Sequence, residues 1–167
     1  YPLIAIVCDG NPLIPRAAKF VFGKQLIVQR CTRHFLEDLR RFLPTKEDQK
    51  EERIKLEQLI LNIKRVIEAD SLEYAQSNLE SLKIYSDNLK SPIKHAMLKM
   101  FKRAKIELTA HLFYPELKLP HTSNDIENLF KQLMLRLKSF GRFFHQDYAK
   151  NYLNAWALLR RFTPFTD

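Results

Sequence analysis

Apolar positions in this chain follow two different spacings, and the change from one to the other divides it. The run Leu3-Ile4-Ala5-Ile6-Val7-Cys8 is continuous, short and rich in Ile and Val, which predicts a buried strand over residues 3–8. Asn11-Pro12 and Pro15 mark a turn, and residues 16–22 read as a short helix that stops at Gly23. Leu26-Ile27-Val28 is a second strand-like run, closing at Gln29-Arg30-Cys31. A strand–helix–strand unit of this kind predicts a small sheet with helices packed on it. From residue 34 the pattern turns helical, until Pro44 stops it.

The middle of the chain keeps helical spacing throughout. Ile54, Leu56, Leu59, Ile60, Ile63, Val66 and Ile67 recur every three or four residues with charges between them. Ser71 is placed to cap a helix carrying Leu72, Ala75, Leu79 and Leu82. Ser91-Pro92 opens another, with Met97, Met100, Phe101, Ala104 and Leu108 on its apolar side. A Pro-punctuated loop, 115–120, follows. Thr122 or Ser123 then caps a helix running to about Ser139, ended by Gly141. The last helix spans about 146–162, with Tyr148, Tyr152, Trp156 and Leu159 as its apolar face. The expected organisation is an α/β core in two parts, residues 1–44 and 113–167, interrupted by an all-helical insertion at 45–112.

Composition adds bounds. The chain has 167 residues, a one-domain length, and only three glycines, which favours helix over a loop-rich β fold. No apolar run approaches the roughly 18 residues of a membrane span, and no signal peptide is seen. Cys8 and Cys31 do not make a disulfide framework, so the expected setting is reducing and cytoplasmic. The chain opens on Tyr1 and runs straight into a strand, which reads as a fragment or a domain whose beginning lies elsewhere.

Charge is distributed unevenly. Residues 1–45 carry seven Lys/Arg against three Asp/Glu, residues 46–90 eight against ten, and residues 91–167 thirteen against six. The excess of +9 therefore belongs to the two outer blocks, which hold Asp9 and Glu127. A basic field around acids suits a polyanionic substrate, although charge alone equally serves solubility.

Asp9 ends the first strand, and Glu127 stands in Thr122-Ser123-Asn124-Asp125-Ile126-Glu127 at the start of a basic helix. An acid in each position is what two-metal phosphoryl transfer on DNA requires. Divalent ions about 3.5–4 Å apart activate the attacking oxygen and stabilise the leaving one. Mg²⁺ or Mn²⁺ would suit such oxygen ligands. The two carboxylates, 118 residues apart, are then expected within roughly 10 Å of each other. The plainer readings are a strand-end turn for Asp9 and, for Glu127, an acid meeting the helix dipole; the neighbouring Asp125 is assigned to capping. Cys31 and His34 are too few for a structural zinc site, and a positioning role is expected, Cys31 packed beneath His34. Lys131, Arg136, Lys138 and Arg142 would follow a phosphate backbone, or form a solvated face. Phe140, Phe143, Phe144, Tyr148, Tyr152 and Trp156 are read as core rather than as base-stacking platforms.

In order and spacing these motifs resemble the catalytic domain of Mutator-like DDE transposases of prokaryotic insertion sequences. Cys8-Asp9-Gly10 matches the family's second Asp, and Gln29-Arg30-Cys31-Thr32-Arg33-His34 matches its Gln-Arg-Cys-x-x-His stretch. A helical insertion and a T-x-N-x-x-E type stretch at 122–127, with Asn124 inside it, complete the likeness. The resemblance implies a partial ribonuclease-H-like core and metal-dependent DNA cleavage and strand transfer, with Asp9 and Glu127 as catalytic metal ligands. It also implies double-stranded DNA as partner, a homo-oligomer on that DNA and a nucleoid-associated setting. The family's first Asp has no counterpart within residues 1–167, so the chain alone is expected to be inactive. The competing expectation is a non-catalytic DNA-binding or assembly module from a decayed element.

Overall fold

In the computed structural model, which describes residues 3–141 and 145–162, two short strands anchor the front of the chain. Ala5–Cys8 (β1) and Ile27–Arg30 (β2) pair in parallel, Cys8 opposite Arg30, and Leu13–Phe22 (α1) connects them. The helix α1 begins at Leu13 rather than at the expected residue 16. Pro15 is tolerated as its third residue, because an N–H there would have no acceptor within the helix. The Asn11 side chain receives the Leu13 N–H at 3.0 Å and sets that start. Gly23 closes the helix at φ 105°, a backbone conformation that glycine adopts without a Cβ penalty.

Thr32–Arg40 (α2) follows β2 directly. It starts earlier than expected because the Thr32 N–H and hydroxyl both donate to the His121 carbonyl, at 2.8 and 3.0 Å. It also ends earlier, since Leu43 precedes Pro44 and is disfavoured from helical backbone. Lys50–Ile67 (α3), Leu72–Asn88 (α4), Pro92–Leu108 (α5) and Ala110–Phe113 (α6) make up the middle. Ser71 caps α4 by accepting the Tyr74 N–H, and Ser91 caps α5 by accepting the Ile93 N–H, each at 3.2 Å. Asn124–Phe140 (α7) and Gln146–Phe162 (α8) complete the chain, with Gly141 at φ 74° after α7. The fold is α/β and predominantly helical. It divides into two compact units, Tyr1–Ser123 and Asn124–Asp167. No helix among the described residues is long and apolar enough to cross a membrane.

The core of the first unit lies among helices, not on the sheet. Phe35, Leu36 and Leu39 of α2 join Leu56, Leu59, Ile63 and Ile67 of α3, Leu82 of α4, and Met97, Phe101 and Leu108 of α5. The sequence placed α2 with the sheet, yet it shares one apolar core with the middle helices. Phe35 meets Phe101 with ring centroids 6.4 Å apart. By contrast, α1 buries none of its residues, and Phe20 is 91% exposed.

A buried amide joins sheet to helices. Gln29, fully buried in β2, donates from Nε2 to the Leu108 carbonyl at 3.1 Å and accepts the His111 N–H on Oε1 at 3.0 Å. Removing that side chain strands a carbonyl and an N–H in the interior, at about 1–3 kcal/mol each. We expect Gln29→Ala to lower unfolding free energy by about 2–5 kcal/mol in urea titrations. A loss below about 1 kcal/mol would show that water replaces the amide.

His111 packs against His121 with ring centroids 4.1 Å apart and planes tilted by 55°, and its Nε2 lies 3.3 Å from the Ala69 carbonyl. Burial, then the neighbouring His121 ring, hold the His111 pKa below 6.5, against the opposing Ala69 carbonyl and Asp70. The folded state thus binds fewer protons than the unfolded one, so this contribution is present above pH 6.5 and is lost as pH falls from there through the lowered folded value. Melting temperature should drop as pH falls below 6.5, and His111→Gln, which cannot titrate, should flatten that limb.

Candidate functional site

The carboxyl end of the two-stranded sheet collects most of the chemistry of the first unit. Strands in parallel register deliver their following residues side by side, and ligands of open α/β sheets commonly bind at that end. Asp9 leaves β1 there and Cys31 leaves β2, with the Cys31 N–H donating to the Cys8 carbonyl at 2.7 Å. Asp9 is exposed, and its Oδ1 accepts the Asn11 N–H at 2.9 Å, closing a tight turn. This satisfies the turn reading of Asp9 and also presents a carboxylate to solvent at the strand end.

Cys31 is wholly buried at the start of α2, and His34 lies in that helix's first turn. Burial pushes the Cys31 thiol up, but hydrogen bonds from the backbones and side chains of His34 and Ser123 outweigh it and the net shift is downward. Cys8 behaves oppositely. Burial, with Glu107 and Asp9 adding negative charge, pushes its thiol up to about 11 despite Arg30 nearby. Both cysteines are free.

Arg30 and Thr32, quoted in the sequence only as part of a motif, hold this end together. Arg30 Nη2 lies 3.2 Å from Asp38 Oδ2, and its guanidinium stacks 5.0 Å from the centre of the Phe35 ring. The signal that could have found it was a cation as the last residue of a strand that its neighbours bury.

Glu127 and Asn124 belong to the second unit, where Asn124 is the exposed first residue of α7 and Glu127 is half-buried one turn on. Lys131, Arg136 and Lys138 are all exposed on α7. At about 100° per residue, Glu127, Lys131 and Lys138 fall within roughly 40° of one another around the helix. Arg136 stands about 140° away from Lys131, so the expected four-residue basic face does not include it. Arg142 lies outside the described residues, as do Phe143, Phe144 and the side chains of Asp125, Phe140 and Leu159. Tyr148, expected in a core, is 63% exposed and edge-on to His145 at 5.6 Å, while Tyr152 and Trp156 are half-buried.

Comparison with family models, with curated proteins and with solved structures finds no match to this chain. Functional inference accordingly rests on the residues and their placement.

The two thiols supply a check of the local electrostatics. Thiolate absorbance near 240 nm should rise near pH 11 in a Cys31→Ser variant and below pH 9 in a Cys8→Ser variant. Indistinguishable titrations would mean that His34 and Ser123 do not stabilise the Cys31 thiolate.

Proposed function

We propose that this chain is part of the catalytic domain of a DDE transposase of the Mutator-like type, acting on double-stranded DNA with Mg²⁺ or Mn²⁺. The observation that carries the reading is Asp9, an exposed carboxylate at the carboxyl end of a parallel strand, in a turn closed by its own side chain. The two-stranded sheet belongs, in this reading, to a larger ribonuclease-H-like sheet. Parallel sheets are covered on both faces, whereas here Ile4 before β1 and Leu13, Phe20 and Val21 of α1 are exposed. Hard divalent ions take oxygen ligands, which Asp9 and Glu127 provide; the buried Cys31 thiol is a soft donor and does not suit them. Bound there, the ions would supply Lewis-acid chemistry at a phosphodiester. Asp9 and Glu127 would hold them, and the basic face of α7 would hold the DNA backbone.

One observation favours the second reading, a non-catalytic DNA-binding or assembly module. Glu127 precedes Lys131 by four residues, the helical spacing and order in which an acid and a base stabilise a helix without any metal. The two readings separate on metal binding.

Mn²⁺ titrated into the isotope-labelled chain should broaden the amide signals around both Asp9 and Glu127, and Asp9→Asn or Glu127→Gln should abolish the effect. Broadening that survives both substitutions would remove these acids from any metal site and leave the module reading. In fluorescence anisotropy, duplex DNA should bind with an affinity that falls steeply with salt. Lys131→Ala and Lys138→Ala should each lower the log–log slope by up to about one unit, and Arg136→Ala by much less. Salt-independent binding would make α7 a solvated face.

A further inference from the structure

Asp9-Gly10 and Gln29-Arg30-Cys31 are separate stretches of sequence, yet one side chain makes them a single object. Arg30 ends β2 directly opposite Cys8, the residue before Asp9. Its side chain is only 15% exposed. A Cβ built on Gly10 would overlap the guanidinium: it would lie 2.9 Å from Cζ and 3.2 Å from Nε, and closer still to Nη2. The guanidinium also lies over the ring of Phe35, which is fully buried in the helical core. The planar group thus packs against both the Gly10 backbone and an aromatic ring.

Asp38 fixes the remaining freedom. Its Oδ2 takes Arg30 Nη2, and its Oδ1 takes Arg41 Nη1 at 3.1 Å, so both of its oxygens are engaged. Arg30 Nε is buried with no hydrogen-bond partner among the described residues. Leaving a charged donor unsatisfied costs stability, which fold maintenance alone gives no reason to accept. The arrangement does make a rigid path from the core, through Phe35 and Arg30, to the backbone of Gly10 beside the Asp9 carboxylate.

We infer that Arg30 is the positioning residue of Asp9: its clamped guanidinium holds Gly10 in place and so fixes the turn that presents the Asp9 carboxylate to a divalent ion. This rests on the metal reading of Asp9. It also explains why glycine follows that acid, since any side chain there would displace the guanidinium. Arg30 touches neither ion nor substrate in this role; it acts through Gly10.

The sign of one measurement separates positioning from plain electrostatics. A cation near a metal site repels the metal, so an electrostatic role predicts tighter Mn²⁺ binding on its removal. Positioning predicts weaker binding, by about ten-fold, the lower range for residues that orient a ligand. The test is Mn²⁺ affinity from paramagnetic broadening of the Gly10 and Asn11 amides, in the whole chain, with thermal unfolding as a check of folding. Arg30→Ala and Gly10→Ala should each weaken binding by about ten-fold, and the double variant should be no weaker than Arg30→Ala, because the added methyl then meets nothing. Arg30→Lys, which keeps the charge but loses the plane, should fail to restore affinity and serves where Arg30→Ala does not fold. Unchanged or tighter binding in Arg30→Ala or Arg30→Lys, or strictly additive losses, would overturn the inference. Asp9→Asn is read separately: if it leaves Mn²⁺ broadening intact, the metal reading fails whatever Arg30 does.

Discussion

The first unit depends on four consecutive residues, 29–32, each of which reaches a different part of the structure. Gln29 spans to the end of α5 and the start of α6, Arg30 to Asp38, Phe35 and Gly10, Cys31 to His34 and Ser123, and Thr32 to the His121 carbonyl. Two strands of four residues have little cohesion of their own, because an isolated pair is marginal in water. The sheet is held by these side chains, which bury polar atoms and pair nearly all of them. A buried amide with both ends bonded is directional in a way that apolar contact is not, so it fixes the register of β2 against α5 as well as its proximity.

That dependence explains why the apolar core and the candidate chemistry occupy different places. The helical core of α2 to α5 leaves Phe35, Leu56, Ile63 and Met97 wholly inaccessible. It supplies rigidity without supplying reactive groups. The sheet end has little apolar mass but carries Asp9, Arg30, Cys31 and His34 within a few residues of the strand termini. Phe35 belongs to both, as a core side chain on one face and the platform for Arg30 on the other. Rigid support for a site on a loop has to come from such shared residues, since the loop backbone has few contacts of its own.

Much of the helical architecture was legible because its signals are local. Ser71 and Ser91 cap as their position before an apolar-periodic run implied, and Pro92 opens α5 at a point where no N–H is needed. The start of α1 was misplaced by reading Pro15 as a breaker when it occupies a tolerated first-turn position. The membership of α2 in the helical core was hidden for a different reason. Its apolar residues Phe35, Leu36 and Leu39 suit any neighbour, and spacing alone does not name the partner. Nor could spacing reveal that Gly10 is a seat for Arg30, a contact between residues twenty apart. On α7 the basic residues were legible as charges but not as a face, because five residues turn a helix far past a full circle and carry Arg136 away from Lys131.

The same reasoning bears on Cys31 and His34, whose Cys-x-x-His spacing invites a zinc interpretation. Cys31 has no exposed surface, and hydrogen bonds from His34 and Ser123 lower the pKa of its thiol. Burial separates the two donors: the soft Cys31 thiol is enclosed at the start of α2, and the Asp9 carboxylate stands exposed at the end of β1.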